Sequence, residues 1–188
     1  MGRQLSSRAR DQMVVAAQEL IAEVGLDGFT VDEVARRSGV AKTTIYRHFP
    51  SSAALAIHAV DCMIEEFPSI DTGSLRGDLE SFFEVMRPHI NDPATRQVLA
   101  GVFAMSAREP DFGEVMRQML TERKAPLIRA FQRAIARGEL SPETDLELAY
   151  DMLEGVFVFR RVLLDQTITP GESASVIDMI LRAIRVES

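Results

Sequence analysis

The 188-residue sequence predicts an all-α protein: an N-terminal three-helix unit ending in a helix-turn-helix, with a larger helical domain behind it. Three observations predict this. Apolar residues recur at spacings of three and four along most of the chain, which gives a helix one buried face. No stretch alternates with the period of two that a half-buried strand requires. Between residues 31 and 49 two short helical runs flank a glycine, as in a helix-turn-helix. Residues 1–50 are assigned to the first domain and 51–188 to the second.

Composition agrees with a folded chain, at 46% hydrophobic and 26% charged, which is ordinary globular usage. Cys62 is the only cysteine, so no intramolecular disulfide forms. Met1-Gly2-Arg3 leads into a charged helical pattern rather than an apolar signal core, and no run nears the roughly eighteen apolar residues of a membrane span. The expected location is the cytoplasm, away from any membrane. The net charge of −7 is unevenly spread. Residues 1–50 carry seven Lys/Arg against six Asp/Glu, and the rest carry 14 against 22. The stretch 36–47 holds Arg36, Arg37, Lys42 and Arg47 and no acid, leaving a local basic patch of the kind that meets nucleic acid.

The first helix is expected over 8–24, where Met13, Ala17, Leu20 and Val24 share a face and Gly25 supplies the stop. Thr30-Val31-Asp32-Glu33 reads as a capping box that starts a second helix at Val31, with Phe29 and Val34 placed to close a hydrophobic staple. Gly39 interrupts that helix within two turns. A third runs over 42–49 until Pro50. Ser51 or Ser52 caps a fourth, running to about Phe67. After a break at 68–73, further helices are expected over 74–90, 94–108, 112–137, 143–165 and 172–186. Pro88 is expected to end the first of these early, and Pro126 to bend or split the third.

Helices that cross tightly need small residues at the crossing and apolar ones facing the first helix, which Ala35, Gly39, Val40 and Ile45 supply. At about 100° per residue, setting Ile45 inward places Phe49 and Ala41 beside it. Thr43 and Arg47 then point away, Thr44 and Tyr46 lie at the sides, and Lys42 and His48 flank the buried face. An outward face of Thr, Thr, Tyr and Arg suits a major groove: hydroxyls donate and accept, and Arg can bridge guanine O6 and N7. A merely solvated polar face is the alternative, but Thr is a poor helix former that gains little there.

The segment Phe29-Thr30-Val31-Asp32-Glu33-Val34-Ala35, followed by Ser38-Gly39-Val40-Ala41-Lys42-Thr43-Thr44-Ile45-Tyr46-Arg47-His48-Phe49-Pro50, closely resembles the DNA-binding domain of TetR-family repressors. The likeness covers about fifty residues. Beyond them it extends to all-helical length and to Arg137-Gly138-Glu139-Leu140 leading through Pro142 into a long helix. The resemblance implies a homodimer that sets the third helix of each subunit in successive major grooves of palindromic double-stranded DNA. It also implies a C-terminal ligand-binding and dimerisation domain, and repression relieved by a small hydrophobic effector. Tyr46, His48 and Thr30 match positions that hold phosphates. Two departures stand out: Ala41 where the family often has a hydroxyl cap, and Ser52 where it often has Lys. Thr43, Thr44 and Arg47 are accordingly assigned to base edges, and Thr30, Lys42, Tyr46, His48 and Ser52 to the backbone. Arg8 and Arg37 are either further phosphate contacts or solvated charges.

Over 143–165, Glu143, Glu147, Asp151, Glu154, Arg161 and Asp165 fall on one stripe and most of the rest is apolar, wider than one core covers on a surface helix. This helix and the last are expected to form a four-helix dimer interface through Leu146, Ala149, Leu153, Val156, Val176, Ile180 and Ile184. A thicker monomer core is the alternative. Arg160, within the apolar arc, is expected to pair across the interface, face a pocket or reach water along its stem. By analogy with the family, Phe83, Met86, Phe103, Met119, Phe157 and Arg160 are the candidates to line an effector pocket, although Met and Phe are as readily plain core.

His58, Asp61, Cys62 and Glu65 lie on neighbouring turns, but the single His-Cys pair at i, i+4 completes no known metal spacing, and a structural role is the simpler one. The sequence holds no P-loop, dinucleotide fingerprint, nucleophile elbow or HExxH. No catalytic residue, metal or cofactor is expected. The competing readings are an activator or a DNA binder without an inducer and, further off, a helical ligand-binding enzyme.

Overall fold

The computed structural model describes residues 2–63 and 70–184, with side chains from Arg8 onward, and contains nine α-helices and no strand among them. The helices are α1 (Gly2–Val24), α2 (Val31–Ser38), α3 (Lys42–His48), α4 (Ser52–Asp61), α5 (Leu75–Asn91), α6 (Pro93–Arg108), α7 (Pro110–Ala136), α8 (Leu146–Val158) and α9 (Pro170–Ile184). A π-helical turn, Phe159–Leu163, continues α8. The expected end of the fourth helix near Phe67, the acid Glu65, and the last helix beyond 184 lie outside the described residues.

The packing forms two compact units, one of residues 1–65 with 97–120 and one of 66–96 with 121–188. The line therefore does not fall at 50/51: α4 packs with the helix-turn-helix, as do parts of α6 and α7. In the first unit Met13, Ala17 and Leu20 of α1 close on Val34, Ile45, Leu55 and Val60, all at most 1% exposed. Val24, expected on that inner face, is 44% exposed. It is the last residue of α1, and Ala16 and Ile21 take up the burial instead.

The second unit is centred on Leu79, Phe82 and Phe83 of α5, Phe131 of α7, Leu153 and Phe157 of α8, and Ile177 of α9. The rings of Phe83 and Phe157 lie 4.3 Å apart. Asp78, wholly buried there, accepts from the Thr72 N–H at 2.6 Å, the Thr72 hydroxyl at 2.8 Å and Arg133 Nη2 at 3.2 Å. A carboxylate taken from water is tolerated because each of these donors replaces lost hydration.

Several boundaries differ from expectation for one reason. Pro93, Pro110 and Pro170 open helices instead of sitting in the breaks before them. A proline at the first helical position lacks only an N–H that has no partner anyway. Pro88 and Pro126 lie inside α5 and α7, which continue through them. Leu127, Ala130 and Phe131 are buried immediately after Pro126, so packing offsets the lost backbone bond. Helix α8 starts at Leu146, not 143, where the Asp145 carboxylate accepts from the Leu148 N–H at 3.0 Å.

The end of α8 corrects the polar stripe. Arg161, expected on the solvated side, is 5% exposed and donates to the carbonyls of Ile90 and Asn91 at 3.0 Å each. These carbonyls close α5, where a helix presents unpaired acceptors and the negative end of its dipole. Asn91 in turn binds both the N–H and the carbonyl of Ile168, tying down the segment before α9.

Candidate nucleic-acid interface

The helix-turn-helix is built by local signals that the structure realises in part. Thr30 has extended backbone angles, and its hydroxyl accepts from the Glu33 N–H at 3.3 Å, capping α2. The reciprocal half of the capping box is not made with Glu33's carboxylate. That carboxylate takes Arg36 Nε at 2.8 Å and Arg37 Nε at 2.8 Å, and these two arginines, Arg36 foremost, pull it down to about 2. Gly39 ends α2 at φ +70, a conformation that side chains disfavour. Ser38 Oγ accepts from the Val40 N–H at 3.2 Å within the turn.

Helix α3 has seven residues and no side-chain cap, because Ala41 holds the capping position. Its inner side is Ile45, wholly buried, with Phe49 just beyond its end at 5% exposure. Lys42, Thr43, Tyr46 and Arg47 are exposed, Thr44 and His48 partly so, and Thr30 and Ser52 are exposed on neighbouring elements. The outward residues are those expected, but Ala41, expected beside Ile45 on the inner side, is exposed, because it stands at the extended capping position before the helix begins. Ser51 is the cap of α4, its hydroxyl accepting from the Ala54 N–H at 3.0 Å, which leaves the Ser52 side chain outside that role. His48 Nε2 is buried without a hydrogen-bond partner, so a phosphate contact from this ring falls to its other nitrogen.

The basic patch looks different in three dimensions. Arg36 pairs with Glu33, Arg37 with Glu33 and Glu23, and Lys42 with Asp32. Among the described residues Arg47 alone of the four forms no ion pair. Sequence reasoning missed Asp32: its partner lies ten positions away across the turn, and short-range spacing does not display such a pair.

Below the motif, His58 Nε2 lies 3.2 Å from Arg10 Nη2 and 3.7 Å from Cys62 Sγ, with the ring 5.2 Å from that of Phe49. Burial, then the Arg10 charge, lowers the His58 pKa. A nitrogen that faces a guanidinium is a poor place for a cation, and no group of three or more metal-ligating side chains occurs among the described residues.

The six candidate effector contacts do not gather in one unit. Phe83, Met86 and Phe157 are buried in the second unit's core, while Phe103, 39% exposed, and Met119 belong to the first. Arg160 pairs with Glu172 at the start of α9, within its own chain.

The candidate dimer residues need correction. Ala149, Leu153, Val176 and Ile180 are at most 6% exposed inside a single chain, and Leu146, Val156 and Ile184 pack against the same core. The apolar side chains facing outward are Leu148, Met152, Phe159, Leu163, Leu164 and Met179, between 45% and 69% exposed. The helix does have two apolar faces, and the residues expected at the interface lie on the inner one.

Among the described residues no helix is long and apolar enough to cross a membrane. Residues 14–59 match the family described as bacterial regulatory proteins, tetR family, and residues 69–180 match the tetracyclin repressor-like C-terminal domain. A DNA-binding transcriptional repressor TetR of Mycobacteroides abscessus is 30% identical over 159 residues, covering 84% of this chain and 83% of that protein. An HTH-type transcriptional regulator of Mycobacterium tuberculosis is 27% identical over 172 residues, 90% of this chain and 84% of its own. A crystal structure of a TetR family transcription regulator superposes with a TM-score of 0.74 at 27% identity, covering 95% of this chain and 99% of that one. FadR from Bacillus subtilis, solved in complex with stearoyl-CoA, shares the fold with a TM-score of 0.67 at 23% identity, over 93% of this chain and 98% of its own. The match covers both the helix-turn-helix that α3 presents and the helical remainder, and the chain belongs to the TetR family of DNA-binding transcription regulators.

Proposed function

We propose that the chain is a cytoplasmic transcriptional repressor that binds a palindromic operator as a homodimer and is released by a small hydrophobic effector. The observation that carries the DNA reading is the outward face of α3, where Lys42, Thr43, Tyr46 and Arg47 are exposed; on this reading Thr43, Thr44 and Arg47 are the residues for base edges, and Lys42, Tyr46, Thr30, Ser52 and His48 those for phosphates. Arg47, with no ion pair to break, is available to bridge guanine O6 and N7.

The dimer reading is supported by a row of exposed side chains. Leu148, Met152, Phe159 and Leu163 succeed one another at spacings of four, seven and four, one stripe along α8 and its π turn, and Met179 adds to it from α9. Contiguous apolar surface of this kind marks an interface. A Cβ built on Gly155, within the stripe, would meet nothing inside 4 Å, which leaves room for a second helix to approach closely. A second copy satisfies both features, and a two-fold dimer suits a palindrome.

The effector reading is supported by family membership and by the aromatic, methionine-bearing core at Phe83, Met86 and Phe157, which a hydrophobic guest would have to part. FadR's stearoyl-CoA makes long-chain acyl-CoA one of the ligands to offer. Induction requires a ligand that favours the conformation unable to match both half-sites. The test is selection of bound duplexes from a random pool, repeated with candidate ligands. A palindromic consensus lost on ligand addition is the expected result. Asymmetric sites would remove the dimer, and binding indifferent to every ligand would leave a constitutive binder.

A further inference from the structure

Three of the four cations of the basic segment, Arg36, Arg37 and Lys42, are paired with acids within the protein. Glu33 is the fixed part of that arrangement. Its side chain is 29% exposed, it serves two arginines at once, and the more enclosed of them, Arg37, is itself 20% exposed and also held by Glu23. Asp32 differs on each count. It is 72% exposed, has the single partner Lys42, and that lysine, 52% exposed, stands at the first position of the reading helix. A pair this open to water contributes little to folding, and the acid's other role, in the first turn of α2 where negative charge complements the helix dipole, needs no lysine partner.

We propose that Asp32 is a brake on sequence-independent DNA binding: it holds Lys42 in the unbound protein and, by staying charged beside the DNA, cancels the attraction that this lysine would supply. The proposal rests on the reading that Lys42 faces the DNA backbone. A lysine that neutralises a phosphate releases condensed counterions, and this release drives binding to any sequence. Lys42 must first leave Asp32, whose bare carboxylate then attracts a cation from solution, and the two ion movements offset one another. Contacts to base edges carry no such cancellation. The net effect is a surface that holds non-operator DNA weakly while the discrimination made by Thr43, Thr44 and Arg47 stays intact.

The test uses the full chain, a fluorescent duplex of random sequence, and a salt series followed by anisotropy. Asp32→Asn should steepen the dependence of log K on log salt by about 0.9 for each lysine freed, and tighten binding at 0.15 M salt about fivefold per lysine. Asp32→Glu should keep the wild-type slope. Adding Lys42→Gln to Asp32→Asn should abolish the gain. On an operator recovered by selection, Asp32→Asn should tighten binding by the same factor as on the random duplex, because a phosphate contact adds equally to every sequence.

Two results overturn the proposal and are told apart. If Asp32→Asn matches wild type while Lys42→Gln alone already flattens the slope by about 0.9, Lys42 meets phosphate without a brake. If Lys42→Gln changes nothing in either background, Lys42 does not reach the backbone at all. A melting curve for each variant separates charge from folding, since a structural role for Asp32 would move the midpoint and not the salt slope.

Discussion

At the scale of single residues, Arg47 and Glu154 carry the sharpest expectations. Arg47 stands exposed on α3 with no internal ion pair, so Arg47→Ala should weaken operator binding by about 1–3 kcal/mol and relax preference at one base, measured by titrating operator variants. Glu154 on α8 was legible only as one more acid on a polar stripe. Burial pushes its carboxyl up to about 7, with Arg123 acting in the opposite direction. An acid that holds its proton more tightly when folded stabilises the fold at pH values below its ordinary 4.5, and that contribution is lost as pH rises through about 7. Thermal stability of the wild type should therefore fall across that window, and Glu154→Gln should flatten the fall. Glu33 has the opposite sign. Held down to about 2 by its arginines, it contributes at neutral pH and withdraws only as pH drops from 4.5 toward 2.

At the scale of elements, the clearest case is the turn between α2 and α3. Gly39 sits at φ +70 with open space around the position of a Cβ. Gly39→Ala should cost about 1–2 kcal/mol through backbone conformation alone, seen as a lower denaturant midpoint with an unchanged slope. Such short-range devices were readable from sequence: the Thr30 cap, the Gly39 turn, the inward Ile45. They depend on neighbours within a few positions, and the chain displays those directly. What escaped depends on partners brought together by folding. Arg161 was placed in solvent by its helical angle, yet two carbonyls seventy positions earlier draw it inside. Glu33 was assigned to a backbone N–H and is held by two arginines instead. The prolines show the same limit, because whether a proline starts a helix or stops one depends on what packs around it.

At the scale of the whole molecule, periodicity showed that α8 and α9 are too apolar for one core, but not which face serves the chain itself. Only the fold separates Leu153 and Ile180, enclosed within the chain, from Met152 and Phe159, turned outward. Phe159→Glu should leave helix content intact while shifting the sedimenting species to about half the mass, and should weaken operator binding sharply, since a monomer spans one half-site. Charge reads differently at this scale as well: the basic segment recognised in the sequence is largely neutralised by Glu23, Asp32 and Glu33 once folded. Association with DNA should then depend less on salt than the count of arginines and lysines implies. One further consequence attaches to α3. A seven-residue helix without a side-chain cap is far below the length of about 12–15 residues at which helices persist alone in water, so its shape is lent to it by the burial of Ile45 and Phe49. Heating that opens this core erases the DNA-reading surface in the same event. The temperature at which the core melts is thus also the ceiling for control of the genes beneath the operator.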